Sequence, residues 1–177
     1  NSAFLSWECT ERLKNDPNSI DLRLFPSAIG GDQSSRHGII LAKSTIAKQY
    51  GIQTGEPIAS ALKKCPNLII VPPNFSVYTK YSSQLIQLLS EYTDKLQQFS
   101  IDEAFLDMTD TCHLFGEPRK VANDIRIRVE KELGFTVNIG ISTNKLLAKM
   151  ASDFQKPNLC HSLFPEEIQE KMWPLPV

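Results

Sequence analysis

A β-hairpin is predicted by the segment Gln98-Phe99-Ser100-Ile101-Asp102-Glu103-Ala104-Phe105-Leu106-Asp107-Met108. Apolar residues flank two adjacent carboxylates, which reads as strand, turn and strand. In an uninterrupted strand, Asp102 and Glu103 would point to opposite faces of the sheet. At a hairpin tip, both carboxylates can converge on one point. Such a pair suits a divalent cation such as magnesium, whereas a solvated acidic turn is the alternative interpretation.

Regular elements surround this hairpin in the second half of the chain. Apolar residues at helical spacing predict a long helix from Tyr78 to Leu96 and another from Val121 to Leu133, which Gly134 ends. A strand over Thr136–Ser142, a helix over Asn144–Ser152 and a short helix over Pro165–Met172 follow. With one further strand before Asn1, this order forms a split β-α-β-β-α-β unit. We therefore predict an α+β fold with a ferredoxin-like sheet and its helices on one face.

The first half predicts a smaller α/β domain. Pro72-Pro73-Asn74 breaks the chain after it and is the predicted domain boundary. Gly30-Gly31-Asp32 opens a polar loop, and Gly51 is expected to end a helix in the left-handed conformation. The remaining elements are helices over Ser2–Lys14, Ser44–Tyr50 and Ile58–Lys64, and strands over Ile20–Leu24, Ile39–Ala42 and Leu68–Val71.

Composition is that of an ordinary globular protein, with 41% hydrophobic residues, 22% charged residues and a net charge of −1. No apolar run approaches the roughly 20 residues that a membrane helix needs, and no charged-then-apolar leader opens the chain. We therefore expect a cytoplasmic protein without membrane contact. A duplex-binding protein usually carries an excess of Lys and Arg. If nucleic acid is the partner, its main binding surface is therefore expected outside this chain.

Both ends of the chain predict a fragment of a longer protein. The chain starts at Asn1 without an initiator Met, and it stops at Trp173-Pro174-Leu175-Pro176-Val177 without a closing element.

The segment Ser100–Asp107 resembles the catalytic hairpin of Y-family (translesion) DNA polymerases, the ImpB-MucB-SamB class that includes bacterial DNA polymerase IV. Three further stretches resemble the same family in the same order. They are Asn1-Ser2-Ala3-Phe4, Ala47-Lys48-Gln49-Tyr50-Gly51-Ile52-Gln53-Thr54-Gly55, and a third stretch made of Asn138–Lys145, Ala148–Ser152 and Lys156–Asn158. The resemblance therefore spans nearly the whole chain. It implies fingers over residues 5–74, a palm over residues 75–164 and the start of a thumb over residues 165–177, with residues 1–4 joining the first palm strand to the first helix.

The resemblance also implies roles for individual residues. Asp102 and Glu103 match the second and third metal-binding carboxylates, and the first aspartate would lie two residues before Asn1. Phe4 matches the ring under the incoming sugar, which excludes a 2′-hydroxyl; core packing is the alternative. The other implied contacts are with the triphosphate for Thr45, Lys48 and Lys156, and with the nascent base pair for Ile39 and Leu41.

The family's reaction is template-directed addition of dNTPs to a primer 3′-hydroxyl, with two Mg²⁺ ions per active site. Primer-template DNA and dNTP are the implied partners, a sliding clamp would be met outside this chain, and the implied location is the nucleoid. The fragment alone is expected to be inactive. One alternative is a catalytically inactive relative that acts as an adaptor at damaged DNA. Another is a palm-like nucleotide cyclase, which Gly30-Gly31-Asp32 superficially suggests, or an RNA-recognition module.

Overall fold

The computed structural model describes residues 2–31 and 38–175, and packing divides it into two compact units. The first unit ends at Tyr81 and the second begins at Ser82. The α-helices are α1 (Ala3–Asn15), α2 (Thr45–Gln49), α3 (Ile58–Lys64), α4 (Phe75–Leu89), α5 (Cys112–Phe115), α6 (Pro118–Arg128), α7 (Lys145–Asp153) and α8 (Ile168–Lys171). A π-helical turn over Val129–Leu133 continues α6 and ends at Gly134. The strands are β1 (Ser27–Gly30), β2 (Ile40–Lys43), β3 (Ile69–Val71), β4 (Leu96–Gln98), β5 (Ala104–Leu106), β6 (Ile139–Ile141) and β7 (Cys160–Ser162).

A three-stranded sheet in the order β2-β1-β3 forms the centre of the first unit. Strand β1 pairs antiparallel with β2 and parallel with β3. Two hydrophobic clusters pack on this sheet: one includes Ile40 and Ala47, and the other includes Leu5 and Ile29. The Ser44 hydroxyl accepts a hydrogen bond from the Ala47 amide at 3.0 Å and so caps α2.

One strand predicted in the first unit is wrong. Residues 20–24 do not form a strand, and Leu22–Leu24 form a single 3-10 turn instead. The Asp21 carboxylate accepts a hydrogen bond from the Arg23 amide at 2.9 Å, and this local bond favours the turn. The first strand begins only at Ser27, in β1. The predicted helix end at Gly51 is confirmed, because this residue has a φ of +74°.

The predicted polar loop after Gly30 lies mostly outside the described residues. Asn1 and Asp32 lie outside them as well, so the predictions that involve these two residues have no structural outcome. Among the described residues, no helix has both the length and the apolar character that crossing a bilayer requires.

In the second unit, β4 and β5 form the predicted antiparallel hairpin, with Leu96 opposite Leu106 and Gln98 opposite Ala104. Strand β6 pairs in parallel with β7, and α7 packs against β6. This packing is close because Gly140 has no side chain: a Cβ there would lie 1.8 Å from the Ala148 carbonyl oxygen. A hydrophobic cluster beneath α7 contains Leu147, Ala151 and Leu163.

The expected single split sheet is not continuous within the described ranges. The hairpin β4-β5 and the pair β6-β7 are separate two-stranded sheets. The mixed helix-and-strand fold class is as predicted, and the sequence interpretation places the additional strand before Asn1.

Several elements of the second unit also differ from the prediction. Helix α4 ends at Leu89, and Leu96 lies in β4 rather than in the helix. Strand β7 was not predicted. The predicted helix over Pro165–Met172 is a 3-10 turn followed by α8. The two units divide within α4, later than the boundary expected after Asn74, and the assignment of fingers, palm and thumb stays a prediction.

Candidate active site

The tip of the β4-β5 hairpin is held by bonds of the backbone and of small polar side chains. The amides of Phe99 and Ser100 both donate to the Glu103 carbonyl oxygen, at 2.9 and 3.1 Å. The Ser100 hydroxyl donates to Asp102 Oδ1 at 3.0 Å. The Ser82 hydroxyl of α4 donates to the Ile101 carbonyl oxygen and so joins the turn to a helix. The turn therefore has a defined shape, with Asp102 exposed and Glu103 half-buried.

Lys149 is the cation that meets this hairpin tip. Its ammonium group forms a close ion pair with Glu103 Oε1, and it also lies 3.8 Å from Asp153 Oδ2. Asp153 Oδ1 is in turn 2.6 Å from the ammonium group of Lys156. Four side chains thus form a charged network that runs from the hairpin across the end of α7. We call Glu103, Lys149, Asp153 and Lys156 the hairpin–α7 network.

The pKa values in this network follow from its charges. Burial lowers the pKa of Lys149, but the bond to Glu103 and the charges of Asp153, Glu103 and Asp102 outweigh it, so the pKa is raised overall. Burial raises the pKa of Asp153, and the nearby Lys156 and Lys149 more than reverse this effect, so the pKa is lowered. Both shifts favour the charged forms of Lys149 and Asp153 at neutral pH. Both hairpin carboxylates contribute to the field at Lys149.

A second lysine of α7 lies against the same hairpin. The Lys145 ammonium group donates to Gln97 Oε1 on β4 and lies 5.9 Å from the centre of the Phe105 ring on β5. Lys145 and Lys149 are four residues apart and so share one face of the helix. The sequence predicted no role for Lys145 or Lys149, because their four-residue spacing shows only that they share a helix face and not what that face contacts.

Asp102 and Glu103 fit a hard divalent cation by their chemistry. Both are carboxylates, Asp102 is open to solvent, and Glu103 already draws a cationic group, Lys149, into direct contact. Magnesium takes several of its ligands from water and from substrate phosphates, so two protein carboxylates can be part of its site. Within residues 2–31 and 38–175, no group of three His, Cys, Asp or Glu side chains is arranged to hold a metal.

Phe4 lies in α1, in the first unit, and is part of an aromatic cluster. Its ring stacks on the Tyr78 ring with 4.6 Å between centroids and 11° between planes, and Trp7 lies 6.1 Å away. Trp7 and Tyr78 are fully buried, whereas Phe4 is only half-buried. The stack therefore fixes the plane of the Phe4 ring and leaves part of it open to solvent.

The other predicted nucleotide contacts in the first unit differ in how exposed their side chains are. Thr45 and Lys48 lie on the exposed surface of α2. Ile39 is 45% exposed, just before β2, which leaves its side chain open to a partner. Leu41 is half-buried and packs against the cluster that contains Leu5 and Ile29, so core packing accounts for part of its role.

The predicted site residues therefore fall into two groups. The second unit holds Asp102, Glu103 and Lys156, and the hairpin–α7 network connects the last two. The first unit holds Phe4, Thr45, Lys48, Ile39 and Leu41.

Comparison with known protein families identifies the family of this chain. The family model for the impB/mucB/samB family matches residues 1–153. The chain belongs to the impB/mucB/samB family. A DNA polymerase IV of Clostridium acetobutylicum is 53% identical over 177 residues, which is 100% of this chain and 44% of that protein.

Solved structures of Y-family DNA polymerases are also similar to this impB/mucB/samB chain. A Y-family DNA polymerase chimera built on Dbh superposes with a TM-score of 0.83 at 26% identity, over 98% of this chain and 50% of that one. An insertion ternary complex of Dbh DNA polymerase gives 0.82 at 26% identity, over 99% of this chain and 50% of that one. The chain thus has the mixed α/β fold of Y-family polymerases and spans about half the length of the proteins it matches.

Proposed function

We propose that the protein containing this chain is a template-directed DNA polymerase of the translesion type. The observation that carries this proposal is the pair Asp102 and Glu103 on a shaped hairpin tip, in a chain of the impB/mucB/samB family. The catalytically inactive adaptor has no comparable support, because both carboxylates are present. The reaction is attack of a primer 3′-hydroxyl on the α-phosphate of a dNTP, with release of pyrophosphate.

Asp102 and Glu103 would hold Mg²⁺, two ions in the complete site, together with an aspartate expected before Asn1. When bound, magnesium supplies charge stabilisation to the attacking and leaving oxygens of phosphoryl transfer. The contribution of the chain itself is positioning. The bonds from Phe99 and Ser100 to the Glu103 carbonyl oxygen fix the turn, and Lys149 forms an ion pair with the Glu103 side chain.

The remaining predicted residues would bind the substrates. Lys156 and Lys48 are cations that suit triphosphate oxygens, as point charges rather than bidentate groups. Thr45 offers a hydroxyl on the same surface of α2 as Lys48. Phe4, with its ring plane set by the stack on Tyr78, would lie under the sugar and exclude a 2′-hydroxyl.

We further propose how the two units and the outer partners take part. Residues 5–74 would act as fingers, with Ile39 and Leu41 against the nascent base pair. Residues 75–164 would act as the palm, and residues 165–177 would begin a thumb. Primer-template DNA would be held mainly by parts of the protein outside this chain, which has a net charge of only −1. A sliding clamp would also be met outside the chain, and the protein would work at the nucleoid in the cytoplasm.

Magnesium-dependent primer extension by the full-length protein tests this proposal. We expect Asp102→Ala and Glu103→Ala each to abolish extension while far-UV circular dichroism stays that of the parent. Asp110→Ala is the matched control, because Asp110 is an exposed carboxylate just after the same hairpin and pairs only at the surface with Lys95. It should extend primers at the parent rate. Extension retained by both Asp102→Ala and Glu103→Ala would rule out the proposed site.

A further inference from the structure

The ion pair between Lys149 and Glu103 places a fixed positive charge at a carboxylate that the proposed function assigns to a metal ion. The pair is neither buried nor fully solvated, since the side chains of Lys149 and Glu103 are 39% and 34% exposed. Screening there is incomplete, so the charge of Lys149 acts on any cation near Glu103. A metal ion and Lys149 therefore compete for the same carboxylate.

Asp153 gives Lys149 a second place to bind. Its Oδ2 lies 3.8 Å from the Lys149 ammonium group, one helical turn along α7. The Lys149 side chain can therefore leave Glu103 and still keep a carboxylate partner. Asp153 also holds Lys156 at 2.6 Å, so a nucleotide whose phosphates draw Lys156 away would leave Asp153 more available to Lys149.

We propose that Lys149 is a positioning residue that moves between Glu103 and Asp153 and weakens metal binding at the hairpin until a nucleotide is present. This inference rests on the proposed function, because it takes Glu103 as a metal ligand. In the absence of nucleotide, Lys149 orients Glu103 and opposes the metal. When the nucleotide phosphates engage Lys156, Lys149 shifts towards Asp153 and frees Glu103. Metal binding and nucleotide binding are thereby coupled through α7.

Binding of Mn²⁺ to the full-length protein without nucleotide, followed by electron paramagnetic resonance, tests the proposal. Lys149→Met should bind Mn²⁺ about tenfold more tightly than the parent, since a lysine near a divalent ion in a mostly aqueous dielectric opposes it by about that factor. Lys149→Arg keeps the charge and should stay within about twofold of the parent. If Lys149 had only a structural role, its replacement would weaken Mn²⁺ binding instead, because loss of the side chain would loosen the site.

A matched control comes from the same helix. Lys145→Met removes an equal charge from α7, but Lys145 bonds to the neutral Gln97 rather than to a carboxylate. Its effect on the Mn²⁺ affinity should stay within about twofold. Lys149→Gln serves as a second neutral variant if Lys149→Met fails to fold, and the same tightening is expected.

A second arm measures coupling with a non-hydrolysable dNTP analogue. In the parent, the analogue should tighten Mn²⁺ binding more than it does in Lys149→Met, because that variant has no lysine to move. The role of Lys149 is overturned, without affecting the proposed metal site, by either of two results. One is unchanged or weaker Mn²⁺ binding in the neutral variants, and the other is an equal Mn²⁺ affinity of Lys149→Arg and Lys149→Met. If Glu103→Ala binds Mn²⁺ as tightly as the parent protein does, the proposed metal site is overturned, and this inference is overturned with it.

Discussion

Substitution of Gly140 by alanine should disrupt the packing that holds the hairpin–α7 network. Gly140 lies in β6 directly under α7, and an alanine Cβ would meet the Ala148 carbonyl oxygen at 1.8 Å and the Ser152 amide nitrogen at 2.6 Å. Both obstacles are helix backbone, which cannot rotate away as a side chain could. The helix must therefore move as a body.

The size of the effect follows from these distances. Separations under 3.0 Å are essentially not seen for real Cβ atoms, so α7 must withdraw by about 1.2 Å or more. This movement opens the cluster of Leu147, Ala151 and Leu163. Overpacking of a core usually lowers the free energy of unfolding by about 1–3 kcal/mol, and a backbone obstacle places Gly140→Ala at about 3 kcal/mol or above.

Urea unfolding followed by far-UV circular dichroism measures this loss. Gly51→Ala separates steric from conformational effects, because Gly51 has a φ of +74° and no atom within 4 Å of a built Cβ. Only backbone strain acts there, and it should lower the free energy of unfolding by about 1 kcal/mol. If Gly140→Ala were no more destabilising than Gly51→Ala, the close packing of α7 on β6 would be refuted.

Two further predictions concern the first unit. Phe4→Ala should raise ribonucleotide incorporation relative to dNTP incorporation by at least about tenfold if, as proposed, the ring stacked on Tyr78 excludes the 2′-hydroxyl. An unchanged ratio in primer-extension assays would remove Phe4 from this role. Asp21 has its pKa lowered from 3.8 to about 2, chiefly by its bonds with Arg23. A lowered pKa stabilises the fold above the unfolded-state value, so this contribution should be present above about pH 4 and lost towards pH 2. Urea unfolding at about pH 5 and pH 3 should show a smaller pH-dependent loss in Asp21→Asn than in the parent, and equal losses would contradict the assignment.

Elements with a strong local pattern could be predicted from the sequence. The apolar residues around Asp102 and Glu103 predicted the hairpin, and Asn144 predicted the start of α7, where its side chain accepts from the Leu147 amide at 2.9 Å. The strand predicted over residues 20–24 was wrong because Ile20, Leu22 and Leu24 alternate with polar residues. In the structure, the Asp21 side chain instead accepts a hydrogen bond from the Arg23 amide and favours a turn. Strand β7 was missed because Cys160-His161-Ser162 has no strand pattern, and its pairing with β6 is a tertiary effect.

The sequence pointed to both carboxylates of the candidate site and to Lys156, but not to Lys149. Asp102, Glu103 and Lys156 followed from resemblance to a family, whereas the sequence predicted no role for Lys149. Its role depends on the packing of α7 beside the hairpin, which Gly140 permits. No local pattern reports that juxtaposition. The i, i+4 spacing of Lys149 and Asp153 is compatible with an ion pair along the helix and does not point to Glu103.

Primer extension by Asp102→Cys with different metal ions tests the central claim most directly, because it asks whether the hairpin carboxylate contacts the metal. A thiolate is a soft ligand and a poor one for Mg²⁺. The proposed site predicts that the variant loses extension in Mg²⁺ and regains part of it in Mn²⁺ or Cd²⁺, whereas Asp110→Cys keeps full activity in Mg²⁺. Full Mg²⁺-dependent extension by Asp102→Cys would contradict the account.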